Sequence, residues 1–496
     1  MANSHIFKYA ELLGILDSVT NKTLGEVDTK HVFNRAITNP KITGIAGDVI
    51  EQSVLGYSAD SDQRPDLEVE GVPVELKTTG IREGKRSGEI EAKEPASITA
   101  VSIDTIAKEV FEQSSFWHKA AHMLFVFYHY DSEDTVSAAE YANFYIRGYK
   151  FYNFDGETKD ILESDWQKVH DYILSIQNLY DSEEAKQYYP GLSSIVNDQL
   201  VYLDTAPKYP HPPRFRFRRR FVTMLVQERF GKTLETLPDA YRGYSEVYKK
   251  CHDLTIQYKG KTFEQLCAIF DIDIEGKTTT QIKSYTERIV VKMFGGNSNK
   301  ISKIDLFYRF GFVGKTIAVT SSEGRTEDMK LVPVDFEEVE NKPFLGNSED
   351  EESELYSYLH DHKLLCIVFK EQPHSSKEIA DLRKNTFEGF KVINLDDSDI
   401  IVNAEITWNK VRDLLLNNGL KSNPVYTKDG KKIINKNGLV KEATNLPKAK
   451  DYLIFLRGTG ADSSSKVLVN GVKMLRQNYW IRGSYIVEKL KSMDYL

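Results

Sequence analysis

Cysteine is scarce in this chain: Cys251, Cys267 and Cys366 are the whole complement of a 496-residue sequence. An odd, scattered set excludes a disulfide framework and points to a reducing compartment. Cys251-His252 has no second ligand pair at zinc spacing, so no structural zinc is expected there. Long apolar runs are missing as well. Met123–Phe127 and Leu364–Phe369 fall far short of the roughly 20 residues that a membrane helix needs. Met1–Ala10 is polar and charged and lacks the apolar stretch of a secretion signal. A cytoplasmic protein with no membrane partner is expected. No short repeat period is present, which excludes a solenoid. A basic balance is absent too, the formal net charge being −8. That argues weakly against nucleic-acid binding. Phosphates, however, respond only to charges within about a Debye length, roughly 10 Å, so the distribution of charge counts for more than its sum.

What is present is the composition of a globular protein, 41% hydrophobic and 28% charged. The length is too great for one ordinary core and implies two to four domains. Acid is concentrated at Glu349, Asp350, Glu351, Glu352 and Glu354; base is concentrated at Arg214–Arg220 and along Lys428–Lys450. A mildly acidic chain with a basic cleft is therefore allowed.

The sequence also echoes itself once. Trp166–Leu174 is answered by Trp408–Leu416, and His118–Phe127 by His360–Phe369. Tyr202-Leu203 is answered by Tyr452-Leu453, and Phe215–Phe221 by Tyr479–Tyr485. Four collinear matches at similar offsets predict a duplicated domain, joined near Gly231–Ser245, where Gly, Pro and Thr interrupt the pattern. The expected division is 1–232 and 233–496. Each copy reads as mixed α and β. Gly44–Leu55, Thr105–Ala121 and Glu163–Gln177 have helical patterns, and Met123–Tyr130 and Tyr141–Arg147 read as strands. Leu67–Val69 and Val74–Thr78 read as a hairpin turned at Glu70-Gly71.

That hairpin carries the chemistry. Residues two apart on a strand share a face, so Glu75 and Lys77 project together while Val74 and Leu76 take the apolar side. Asp66 begins the partner strand and can come beside Glu75. Two carboxylates and an amine gathered in this way fit a divalent cation that prefers oxygen ligands and keeps several waters, with the lysine orienting a water for attack on a phosphate. The same residues also fit an amphipathic surface hairpin with a Glu–Lys pair. Glu51, one helical turn after Gly47, supplies a further acid; its alternative is a solvated helix face.

These residues resemble the MutH-related type II restriction endonucleases that cut at GATC, members of the PD-(D/E)xK superfamily. The Gly-x-x-x-Glu helix matches at Gly47 and Glu51, the metal and catalytic pattern at Asp66, Glu75 and Lys77, and a Glu-x-Ser-(four residues)-Lys helix at Glu112, Ser114 and Lys119. One departure is a hairpin that reads two residues longer than usual. The resemblance implies a duplicated, mixed-sheet MutH-like fold and a Mg²⁺-dependent endonuclease acting on double-stranded DNA in a prokaryotic cytoplasm. It further implies Asp66, Glu75 and the Leu76 carbonyl as metal ligands, Lys77 as the group that positions the water, and Glu51 and Lys119 as additional site residues. A protecting DNA methyltransferase in the same host and DNA-dependent self-association into dimers are implied as well. Glu112 is equally explained by charge compensation at a helix N-terminus.

DNA contact is expected from Arg214-Phe-Arg216-Phe-Arg218-Arg219-Arg220, whose alternation puts Arg214, Arg216 and Arg218 on one face. In the second copy, Arg457 and Arg482 are the candidates. That copy lacks the chemistry: Phe312–Thr316 answers Val74–Thr78 and keeps a lysine but no glutamate. One catalytic site per chain, with a non-catalytic DNA-binding copy acting as an effector, is the resulting expectation. The alternatives are a strand-nicking mismatch-repair endonuclease and a non-catalytic DNA-binding protein.

Overall fold

In the computed structural model every residue is described except 1–4, 41, 58–63, 85–87, 133–135, 321–326, 346–351, 374–380, 435–437, 439 and 461–465. Glu349, Asp350 and Glu351 of the acidic cluster thus lie outside the described residues. The chain divides into two compact units: Met1–Val247 with Ile304–Phe310, and Tyr248–Lys303 with Gly311–Leu496. The first unit therefore runs past the expected join at 232 and takes back a short segment. The physical reason is Arg309, almost fully buried and held by Glu157 at 3.2 Å and by the Tyr202 hydroxyl at 2.9 Å.

The first unit is built on a mixed sheet in the order β1-β2-β3-β6-β7, with β4 also on β3. These strands are β1 (Ile6–Phe7), β2 (Leu67–Val69), β3 (Val72–Glu83), β4 (Ile90–Ala92), β6 (His122–His129) and β7 (Ile146–Asn153). A second sheet, β5-β9-β8, comprises β5 (Ala96–Ala100), β8 (Leu203–Ala206) and β9 (Arg214–Phe217). Between β7 and β8 in sequence runs the helix Gly156–Leu179, which buries Ile161, Trp166, Val169 and Ile173. β3 and β6 are parallel and β6 and β7 antiparallel. Val74 and Leu76 enter the core with Leu124 and Val126, so the apolar face of β3 is fixed by burial. Slipping the register by one residue would bury Lys77 in their place.

The second unit repeats this plan. β10 (Phe312–Val319) and β12 (Lys363–Lys370) are parallel, and β12 and β13 (Thr386–Asn394) are antiparallel. The helix Ser398–Leu416 buries Trp408. A second sheet runs β11-β19-β16, from β11 (Met329–Pro333), β16 (Ile454–Gly458) and β19 (Gln477–Ile481), antiparallel throughout like β5-β9-β8. Two added hairpins are particular to this unit: β14 (Ser422–Pro424) with β15 (Glu442–Thr444), and β17 (Lys466–Val469) with β18 (Val472–Leu475).

Matching irregularities fix the correspondence. β6 bulges after Phe127, which faces Gly148 at φ +148°; β12 bulges after Val368, which faces Gly389 at φ +137°. Such φ values favour glycine. Phe127 therefore corresponds to Val368, one residue away from the pairing with Phe369 that the sequence echo suggests. Carried across to the neighbouring strands, this register sets Lys315 in the place of Lys77 and Val313 in the place of Glu75.

Three local expectations are revised. Thr105–Ala121 is not one helix: it is Ile103–Ile106, a 3-10 turn at Phe111–Gln113, and Ser115–Ala120. The restart is set by buried Ser114, whose hydroxyl caps the Trp117 N–H at 3.0 Å. Tyr141–Arg147 opens as the end of a 3-10 turn over Ala138–Asn143, and the strand begins only at Ile146. Gly44–Leu55 is an α-helix to Val49 and a π-helical turn from Ile50 to Leu55.

Candidate active site

The hairpin closes in two residues. Val69 pairs with Val72, and Glu70 and Gly71 take φ +51° and +85° between them. Both central residues of a type I′ turn need positive φ, and Gly71 adopts it without steric penalty. Leu67 pairs with Val74, so Asp66 comes level with Glu75 at the open end. There Asp66 accepts the Leu76 N–H through Oδ2 at 2.8 Å. Its own carbonyl takes His5 Nδ1 at 2.7 Å, and the His5 ring stacks on Tyr57.

Glu75 is the centre of the site. It is 1% exposed, and one oxygen, Oε1, meets Lys77 Nζ at 2.6 Å and Lys119 Nζ at 3.3 Å. Lys119 reaches it from the helix capped by Ser114, across 44 residues of sequence. The other oxygen, Oε2, is buried and has no hydrogen-bond partner among the described residues. Burial pushes the Glu75 carboxyl up and Asp66 adds to this, while the Lys77 ammonium pulls it down. A buried carboxylate oxygen without a donor is costly, of order 1–3 kcal/mol or more. An electron-pair acceptor such as a divalent cation offsets that cost, so the donor set fits one. Among the described residues no three His, Cys, Asp or Glu side chains are grouped for a metal ion. The expected set has only two carboxylates, with a main-chain oxygen as the third ligand.

Glu51 lies on the π-helical turn and feels both carboxylates. Its pKa is pushed up to about 7, by burial first and then by Asp66, Asp48 and Glu75, against the pull of Lys77. Gly47, one turn earlier, faces β3, where a Cβ would sit 3.4 Å from Thr78 Oγ1, an ordinary contact that does not itself require glycine. Asp66, Glu75, Lys77, Lys119 and Glu51 thus converge. Glu112 does not join them; it is exposed and bound to Lys159 at 2.5 Å.

The arginine run is corrected by the structure. Arg216 is buried and clamps Asp204 through Nε at 2.7 Å and Nη2 at 3.2 Å. Arg218 is buried too, giving Nε to the Leu203 carbonyl at 2.8 Å and Nη2 to the Asn197 carbonyl. Neither is presented to a groove; both tie β9 to the chain around β8. Arg214 alone of the three candidates is exposed. In the second unit Arg457 is half-exposed, pairs with Asp328 at 2.5 Å and lies 4.9 Å over Trp480. Arg482 caps the helix Gly483–Lys491 by position and is partly buried.

Asp165, which sequence reasoning missed, is fully buried and accepts the N–H groups of Val201, Tyr202 and Leu203. It aligns the entry to β8. No local signal marks it, because its partners lie 36 to 38 residues away.

The sequence model of the DNA mismatch repair enzyme MutH matches residues 55–165. That stretch holds the hairpin, both lysines and the start of the long helix. Over these residues the chain is similar to MutH. It is also 24% identical over 484 residues to the type II restriction enzyme Sau3AI of Staphylococcus aureus, across 90% of this chain and 92% of that protein. The likeness to Sau3AI thus spans both units, whereas the MutH match lies wholly within the first. Among the described residues no helix is long and apolar enough to cross a membrane.

Proposed function

We propose that this site-specific deoxyribonuclease is a type II restriction endonuclease that hydrolyses phosphodiester bonds of double-stranded DNA at GATC with Mg²⁺. The observation that carries the reading is Glu75: one oxygen neutralised by two lysines, the other buried and open to a cation beside Asp66. Asp66, Glu75 and the Leu76 carbonyl would hold the ion, which when bound supplies charge stabilisation at the attacked phosphate. Lys77 donates a hydrogen bond to the attacking water and orients it in line with the phosphorus. Lys119 holds Glu75 in place through Oε1 and, with Lys77, opposes the upward push of burial on its carboxyl. Glu51 is an outer carboxylate that accepts a proton near neutral pH.

Arg214 from the first unit and Arg457 and Arg482 from the second are the proposed DNA contacts. With one such site per chain, a double-strand cut requires two chains or two successive nicks. We therefore propose that residues 1–232 carry catalysis, that 233–496 bind DNA as an effector, and that chains pair on DNA. A protecting methyltransferase in the same prokaryotic cytoplasm completes the reading. The extent of the Sau3AI likeness, which takes in the second unit, favours this over a mismatch-repair nickase. The test is unmethylated plasmid incubated with Mg²⁺ and then with EDTA, followed by sequencing of the ends. Discrete fragments ending at GATC are expected. Open circles alone would favour the nickase, and an unchanged plasmid would exclude both.

A further inference from the structure

The two units differ in charge where the chain leaves the long helix. In the first, residues 180–202 lead to β8 with four acids against one base, a formal charge of −3. In the second, residues 417–453 lead to β16 with eight lysines against three acids, a formal charge of +5 in a chain whose total is −8. The second segment contains no arginine.

The described residues of this basic segment form a ribbon. Its base is fixed by Asn445, which accepts the Lys421 N–H and donates to the Gly419 carbonyl, both at 2.9 Å. Farther out, Val425 donates to the Lys441 carbonyl at 2.8 Å, Ile433 to that of Val425 at 2.8 Å, and Lys441 to that of Ile433 at 2.7 Å. A turn at Gly430, φ +75°, closes the tip. Among the described residues from Lys421 to Thr444 no side chain is buried; Tyr426 and Ile434 are more than half exposed. The ribbon therefore contributes almost nothing to a core. Lys421, Lys428, Lys431, Lys432 and Lys441 are all exposed and form no ion pair among the described residues.

We infer that this lysine ribbon is a clamp on the DNA phosphate backbone. It rests on the nuclease reading and deepens it. Ammonium groups meet phosphates as point charges, whereas base edges are read by the planar fork of arginine, which the ribbon lacks. It thus adds affinity and register on the duplex without adding sequence preference. β-Ribbons are an established shape for docking on DNA.

The experiment uses the full chain carrying Glu75→Ala, so that DNA is not cut, and measures binding to duplexes with and without GATC across a salt series. Combining Lys428→Gln, Lys431→Gln, Lys432→Gln and Lys441→Gln is expected to lower the slope of log affinity against log salt by about 3.6, at roughly 0.9 for each of four phosphate contacts. The loss should be equal on both duplexes, and the four Lys→Arg changes should restore the slope. An unchanged slope overturns the clamp. So does a ribbon-dependent affinity for vesicles of anionic phospholipid with no change on DNA. Failure of the unsubstituted chain to cut or bind DNA at all would instead overturn the nuclease reading itself.

Discussion

The two halves of this chain share a strand plan but not a charge plan. β3 and β10 lie in equivalent sheets, parallel to β6 and β12 and bounded by equivalent glycine bulges. On β3 the pair on the site face is Glu75 and Lys77; on β10 the same places hold Val313 and Lys315. The second unit keeps the architecture and drops the acid, while gaining a basic ribbon where the first unit is acidic. A fold of this kind is held by its apolar alternation and its bulges, so a buried carboxylate can be lost with little damage to the scaffold. Retaining such a group in the first unit has an energetic cost, which is the physical ground for the role proposed for Glu75.

The sharpest break in the comparison is expected at Glu75 itself. Glu75→Ala should lower the cleavage rate by at least about 10²–10³-fold, in the range seen when an electrostatic group of an active site is removed, and should leave DNA binding largely intact. Retained cleavage in a plasmid assay would remove Glu75 from its role. The reciprocal change, Val313→Glu in a Glu75→Ala background, should restore no cutting, since among the described residues no strand pairs with the other edge of β10 to carry a counterpart of Asp66.

A large effect on stability is expected at Arg216. Arg216→Ala leaves Asp204 buried without its partner and should cost about 3–5 kcal/mol in urea denaturation. Arg214→Ala, only two residues away but exposed, should leave the denaturation midpoint unchanged and weaken DNA binding. Equal effects of the two substitutions on stability would contradict the division of labour drawn here.

Smaller is the pH effect at Glu51. Its carboxyl is raised in the fold to about 7 from an ordinary 4.5, so the folded chain binds the proton more tightly than the unfolded chain does. Stability from this group is full below pH 4.5 and is lost as pH rises through about 7. In EDTA, thermal melts of the wild type should therefore lose about 1–2 kcal/mol across that window, after allowance for solvent screening. Glu51→Gln should flatten the dependence; identical profiles would show that Glu51 is not desolvated as described.

Much of the site was legible because its logic is local. Alternation puts Glu75 and Lys77 on one side of β3, and Glu70-Gly71 supplies the turn that brings Asp66 level with them. The helix after Gly47 was legible too, although its π-helical end was not, since that depends on how the helix packs. Lys119 was reached only through the resemblance to relatives, because no periodicity links it to a residue 44 positions earlier. The arginine run misled for the same reason. Density and alternation mark it as a charged strand, yet what decides its exposure is Asp204 on the neighbouring strand and the carbonyls of Asn197 and Leu203.

The sequence by itself determined the hairpin, the face that Glu75 shares with Lys77, the repetition of the plan and the place where the acid was lost. These follow from backbone periods of two residues and from turn chemistry, which act over a few positions. Only the tertiary structure decided which oxygen of Glu75 is neutralised, which arginines are internal struts, and that residues 304–310 return to the first unit. Those outcomes depend on partners dozens of residues away, and a buried charge is set by whichever group the completed fold places against it.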